Sequence, residues 1–145
     1  MSAPARDDLY QDAIMARARA GHADSRLDPH DARATADNPL CGDRVTVDVR
    51  LGDGRITALG QRTRGCALCL AAAETLRAAA IGAGPGDAER GAQSVGAYLA
   101  GGAEPPFPWR DFALFAPVRG YRSRHGCVLL PFEALRQALE AAPRR

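Results

Sequence analysis

Two short cysteine clusters are joined by what reads as a β-hairpin, and another cysteine lies far downstream. The first cluster is Asn38-Pro39-Leu40-Cys41-Gly42-Asp43 and the second is Gly65-Cys66-Ala67-Leu68-Cys69; Cys127 opens a helical segment near the C-terminus. Three thiols and a carboxylate at three separate places in a small domain point to one folded site that gathers sulfur ligands. The chemistry expected of such a site is that of metals or sulfur.

At 145 residues the chain is expected to form a single domain over residues 1–145, with one core. Thirty alanines supply much of the apolar content, so the large core residues must come from a modest set of Leu, Val, Ile and Phe. Every basic residue is arginine, and the formal net charge is only +2. That is too little for a nucleic-acid partner, which calls for a dense basic face. No stretch approaches the roughly 18 apolar residues that cross a bilayer, so no membrane role is expected. Asp7, Asp8 and Asp12 around Leu9 and Ile14 are unlike a signal peptide. The expected location is cytoplasmic, where cysteines serve as ligands or reactive thiols more often than as disulfides.

The spacing of Leu9, Tyr10, Ala13, Ile14 and Arg17 predicts a helix over 7–20, ended by Gly21. Residues 22–40 are weakly patterned and read as loop, with room for one short strand. Val45, Val47, Val49 and Leu51 alternate with polar residues, as in a half-buried strand. Gly52-Asp53-Gly54 is a turn, and residues 55–64 return as a second strand. Either Ile56/Ala58 or Thr57/Leu59 could form its inward face. An alanine-rich helix is predicted over 66–81, and a loop over 82–86. A further helix is predicted to about residue 100, with Asp87 as its N-cap. After a proline-rich connection and a helical turn over 111–115, the last helix carries Val128, Phe132, Leu135 and Leu139 on one stripe, with Pro131 in its first turn. The order predicts an α+β fold: a small antiparallel β-sheet with helices packed on one face.

Cys66 sits where a strand feeds a helix N-terminus, whose partial positive charge favours thiolate. Cys127 is expected in a similar position, and Gly42 leaves the backbone free to turn Cys41 and Asp43 toward one point. Three thiolates and one carboxylate can complete a tetrahedral shell for zinc, and thiolates also hold iron–sulfur clusters. Three other readings stand beside this one: cysteines that only pack, a purely structural zinc, and a redox pair at Cys66-x-x-Cys69. Cys69 is either a further ligand or a small core residue. Residues 82–86 are glycine-rich but lack the lysine of a phosphate loop. His22 and His30 are expected in solvent. His125 is an extra ligand or a surface histidine, and Arg119, Arg122 and Arg124 are a solvated loop or a docking surface for an acidic partner.

These residues resemble the U-type iron–sulfur assembly proteins, which comprise IscU, SufU and the N-terminal domain of NifU. Leu9-Tyr10 with Ile14 is similar to the family's opening helix. Asn38 to Asp43 is similar to its first-cysteine motif, and Gly65-Cys66-Ala67-Leu68 with Ala71 to its second. Arg122-Ser123-Arg124-His125-Gly126-Cys127, followed by Val128-Leu129-Leu130-Pro131-Phe132, is similar to its third. The long separation of Cys66 from Cys127 resembles the SufU branch, with the extra length at about 101–119. The chaperone-binding segment of IscU is absent, and Gly126 stands where IscU carries histidine.

The resemblance implies a site of Cys41, Asp43, Cys66 and Cys127 that binds zinc, or iron and a [2Fe–2S] cluster. It implies a cysteine desulfurase (SufS-like) as partner, with Cys41 as persulfide acceptor, and downstream scaffold or acceptor proteins. The activity is then a sulfurtransferase-type relay or a non-enzymatic scaffold, with a module holding purely structural zinc as the alternative. Asp43, a hard oxygen among soft sulfurs, is the ligand expected to leave most readily. Cys69 stands where many relatives carry serine, and Ala72, Glu74 and Thr75 replace a serine- and methionine-rich run. An extra thiol could offer the site an all-sulfur state.

Overall fold

A computed structural model describes residues 11–143. The predicted strand alternation is borne out over Asp43–Gly52, here β2, where Val45, Val47 and Val49 are fully buried. β2 is the middle strand of a three-stranded antiparallel sheet, flanked by β1 (Ala32–Asn38) and β3 (Arg55–Arg64). β1 lies within the stretch read as loop, and pairs from Ala32 opposite Val49 to Asn38 opposite Asp43.

The hairpin register settles the inward face of β3. Arg50 pairs with Ala58 but Leu51 pairs with Ile56, so Thr57 is an extra residue in a β-bulge. Ile56 and Leu59, taken from the two alternative faces, are therefore both buried.

The four α-helices of the described residues pack on one side of the sheet or on one another, as the α+β reading predicts. α1 (Asp12–Gly21) covers α2 (Ala67–Ala79), and α2 is buried continuously from Leu68 to Leu76. Leu9 and Tyr10, placed in the opening helix by their spacing, lie outside the described residues. α3 (Pro85–Leu99) packs on α4 (His125–Ala141), and α4 lies across β1, β2 and α2. The small inward residues Ala32 and Ala36 of β1 are buried at this contact.

The start of α3 differs from the prediction. Its N-cap is Gly84 and Pro85 opens the first turn, while Asp87 is the third helical residue, its Oδ2 accepting the Gly84 N–H at 2.9 Å. Proline needs no partner for a missing N–H at that point, so the helix begins earlier than an aspartate N-cap would allow. The turn predicted at 111–115 is part of a longer 3₁₀ stretch, Arg110–Gly120, followed by a second at Arg122–Arg124. Phe112, Phe115 and Val118 are buried at three-residue intervals, the period of that helix. Phe112 meets Phe132 of α4 at 5.0 Å between ring centroids, and Trp109 meets the same ring edge-on at 5.4 Å.

Among the described residues, the outer face of the sheet is covered at one end. There Leu27 donates its N–H to buried Asp48 at 2.8 Å, and Arg33 makes a two-pronged ion pair with the same carboxylate at 2.5 and 2.9 Å. No described helix is long and apolar enough to cross a membrane.

Candidate metal and sulfur centre

The cysteines meet at the end of the sheet where β1 stops and β2 starts. Asn38 ends β1 and shapes the connecting loop. Its side-chain oxygen accepts the Leu40 N–H at 3.1 Å, and its carbonyl accepts the Gly42 N–H at 2.8 Å. Gly42 has φ +74°, a conformation that glycine adopts without a Cβ penalty. The loop leaves Cys41 exposed, beside a Leu40 that is 97% exposed.

Asp43 stands two residues before Val45 and so points to the core side of β2. It is buried, and both of its oxygens are directed. Oδ1 accepts the Cys66 N–H at 3.0 Å, and Oδ2 lies 3.4 Å from the Cys66 sulfur. Cys66 is the N-cap residue of α2, so the carboxylate satisfies a donor at a helix N-terminus, where negative charge is favoured. Gly65 makes this approach possible, because a Cβ there would stand 2.5 Å from Asp43 Oδ1.

Cys127 is the third residue of α4 and is buried; its sulfur lies 4.0 Å from that of Cys41. It sits inside the first turn, two residues further into the helix than the opening position predicted. Gly126 brings α4 against the loop, since a Cβ at that residue would be 3.2 Å from Asn38 Nδ2.

Ligand atoms of Cys41, Asp43 and Cys127 all lie within 4.8 Å of one another, and Cys66 joins them through its contact with Asp43. Cys69, one turn into α2, is wholly buried in the core and outside that three-residue group. His125 is neither a ligand of the group nor a solvated side chain. Its Nε2 lies 3.1 and 3.2 Å from the carbonyls of Val118 and Arg119, so this nitrogen donates and ties the 3₁₀ stretch to α4. Arg119 is also engaged, stacked 4.7 Å over Tyr98 and bonded to the Gly102 carbonyl.

A model of the NifU-like N-terminal domain matches residues 9–100, a span that takes in three of the four cysteines and Asp43. The chain belongs to the NifU-like N-terminal domain family. Among solved structures, it is similar to a nitrogen-fixing NifU-like protein (N-terminal) from Brucella abortus, with 30% identity, a TM-score of 0.84, and coverage of 92% of this chain and 94% of that one. It also shares its fold with a protein from Fervidobacterium islandicum AW-1 described as an iron–sulfur cluster assembly scaffold for the SUF system. That match has 22% identity and a TM-score of 0.82, and covers 93% of this chain and 99% of the other. The likeness is compatible with the SufU-like reading. Among curated proteins, no sequence matches.

The family's NifU-like fold thus presents, in this chain, donors that suit a metal. Tetrahedral zinc with bonds of about 2.3 Å to sulfur and about 2.0 Å to oxygen has S···S edges of about 3.8 Å and S···O edges of about 3.5 Å. The 4.0 Å between Cys41 and Cys127 and the 3.4 Å between Cys66 and Asp43 are close to those lengths. Softness also suits zinc or iron, since three of the four donors are sulfur.

The thiols differ in acidity. A hydrogen bond from the Cys127 thiol lowers the Cys66 pKa to about 7 against the effect of burial, and the Cys69 N–H assists. Cys127 is raised for the matching reason, as donor to Cys66, and by burial. Cys41 is raised by burial of its sulfur and by the neighbouring Asp43 carboxylate, with the Cys127 thiol acting the other way, although the residue as a whole is exposed. Burial raises Cys69 strongly.

Asp43 does not have the setting of an easily displaced ligand. It is buried and held at Oδ1, whereas Cys41 rides on an exposed loop. Sequence reasoning passed over Gly65 as a steric requirement, and over Arg44 and Arg64. These arginines line, with Asp43, a hollow of about 360 Å³ beside the site.

Proposed function

We propose that this protein works in iron–sulfur cluster assembly through one site, Cys41, Asp43, Cys66 and Cys127, with residues 1–145 acting as a single unit. Its task is to accept sulfur from a cysteine desulfurase of the SufS-like kind and to hold the metal or [2Fe–2S] cluster being built. One observation carries this reading: three thiols and a carboxylate from three distant stretches converge, and Cys41 alone among the four is exposed.

The proposed step is thiol–disulfide exchange. Cys41 Sγ, as thiolate, attacks the outer sulfur of the partner's persulfide. A new sulfur–sulfur bond forms on Cys41, the partner's own sulfur–sulfur bond breaks, and its cysteine leaves as a thiolate; no oxidant is consumed. The raised pKa of Cys41 means that the thiol must first lose its proton. Zinc, bound by the four residues, would supply that deprotonation by stabilising thiolate. Cys66 and Cys127 sit at helix starts and keep their place while the 38–42 loop carries Cys41 outward. Asp43, pinned by the Cys66 N–H, keeps negative charge at the site.

The test is incubation of the protein with its desulfurase and free cysteine, read by mass spectrometry of the cysteine-containing peptides. The expected result is one added sulfur atom on Cys41, and no stimulation of the desulfurase by Cys41→Ala. Persulfide confined to Cys66 or Cys69, with Cys41→Ala fully active, would overturn the assignment. Tightly held metal with no sulfur transfer at all would favour purely structural zinc.

A further inference from the structure

The outer face of the sheet holds a concavity of about 160 Å³ that the cysteine site does not use. It is lined by Arg26, Thr35, Arg44, Thr46, Arg62 and Arg64. Each of these side chains is a hydrogen-bond donor, and among the described residues no carboxylate or large apolar residue enters. The strand register gathers them: Thr46 of β2 stands opposite Thr35 on β1 and Arg62 on β3, and Arg44 stands opposite Arg64. The two rows are two residues apart, about 7 Å along the strand. Arg26 enters from the segment bound to the edge of β3 through Ser25 and Gln61.

Like charges directly opposite on a sheet are destabilising, as Arg44 and Arg64 are here. The protein's own carboxylates meet only part of this charge. Arg44 is bonded to Asp37 at 2.6 Å and Arg26 to Asp24 at 2.7 Å, and neither carboxylate lines the concavity. Arg62 and Arg64 make no hydrogen bond or ion pair among the described residues, although Arg62 is near enough to help lower the pKa of Asp24, itself bonded to Arg26. Two guanidinium groups therefore keep their donors free beside a donor-lined hollow. Thr35 and Thr46 are bonded to each other at 2.8 Å, which uses one hydroxyl hydrogen and leaves the other to point at a guest.

We propose that this concavity seats a phosphate group. A phosphomonoester approaches two negative charges near neutral pH, matching Arg62 and Arg64, and its oxygens suit the planar guanidinium fork. A single carboxylate would leave one of the two cations unmatched. The volume lies well below the roughly 300 Å³ at which whole-ligand pockets begin, so the phosphate enters and anything attached to it stays outside. Arg44 and Arg64 also line the hollow that reaches Asp43, which puts a bound phosphate next to the cysteine site.

The experiment titrates the full chain with inorganic phosphate at fixed ionic strength, with chloride as reference, and reads heat of binding and melting temperature. A parallel arm uses a nucleoside monophosphate. Saturable binding of phosphate over chloride is expected. Tighter binding in the second arm assigns a nucleotide as the source, and equal binding assigns inorganic phosphate. Arg62→Gln with Arg64→Gln should weaken binding about tenfold or more, since bonds to charged groups are lost. Arg122→Gln with Arg124→Gln, outside the concavity, should bind as the wild type does. Should the glutamine pair fold poorly, the Arg62→Lys, Arg64→Lys pair, which keeps the charge and removes the fork, should show weakened binding. Phosphate no better than chloride, unchanged binding in a folded double variant, or a better fit by an aspartate-rich peptide would each overturn the proposal.

Discussion

Gly65→Ala should damage both stability and metal retention, through a single contact. The added Cβ would lie 2.5 Å from Asp43 Oδ1, 2.7 Å from its Cγ and 3.0 Å from its Cβ. The backbone at residue 65 is outside the left-handed region, so the cost comes from the contact and not from strain at φ. Asp43 is short, buried and paired across the sheet with Asn38, so relief requires its carboxylate to swing off the Cys66 N–H. Losing a hydrogen bond to a charged acceptor costs about 1.5–3 kcal/mol, and overpacking a buried site about 1–3 kcal/mol. The swing relieves the clash as it breaks the bond, so the two overlap, and a net loss of about 2–3 kcal/mol is expected. In a domain of this size that lowers the melting temperature by roughly 6–12 °C. Thermal unfolding of the metal-free protein reads the first effect, and chelator competition for the loaded protein reads the second. A double-mutant cycle with Asp43→Ala isolates the cause, because removing the carboxylate leaves only the 3.0 Å contact with the Cβ of residue 43. Gly65→Ala should cost clearly less in that background. A wild-type melting temperature in Gly65→Ala, or fully additive losses in the cycle, would refute the reasoning.

Two further outcomes follow from buried side chains near the site and on the sheet. Burial acts on Asp48 to raise its pKa, but the Arg33 guanidinium and the Leu27 N–H outweigh it and hold the carboxyl below its usual value. The stability this provides is complete above the unfolded carboxyl value of about 3.9 and is lost as pH falls through the lower folded value. Asp48→Asn should cost about 1–2 kcal/mol at pH 7, discounted because Arg33 is 42% exposed; in urea titrations the gap from wild type should close below about pH 4, and a pH-independent gap would count against the ion pair. Cys69, buried in the core, is expected to pack and not to bind, so Asp43→Ala and Asp43→Ala with Cys69→Ala should hold equal amounts of metal by elemental analysis; loss of metal in the double variant alone would make Cys69 a ligand.

The elements that sequence periodicity revealed are those whose pattern is local. Val45, Val47 and Val49 alternate within one strand, and the stripe from Val128 to Leu135 repeats within one helix. β1 has the same alternation in Ala32, Ala34 and Ala36, but alanine is a poor strand former and buries little area. What makes that stretch a strand is its pairing with β2, which lies outside any local window. The bulge at Thr57 is likewise a property of two strands together. The 3₁₀ stretch was partly legible: Phe112, Phe115 and Val118 recur every third residue, although only its first turn was anticipated.

At the site, the ligand types were legible and their division of labour was not. Parity with Val45 already places Asp43 on the core side of β2. Its weakness as a hard ligand among sulfurs would make it the one to leave, if ligand softness alone decided. Burial and the bond from Oδ1 to the Cys66 N–H argue the reverse, because moving Asp43 strands a helix N-terminal donor as well as a carboxylate. Cys41 is held by sulfur contacts to Asp43 and Cys127, but on an exposed loop. Its sulfur is 4.0 Å from the Asn38 carbonyl and from the Cys127 sulfur, at the long limit for sulfur contacts, and Gly42 frees the backbone that follows it. Under the proposed function the exposed Cys41 would be the residue a partner reaches, and the Asp43 carboxylate would hold the start of α2 while Cys41 leaves the site.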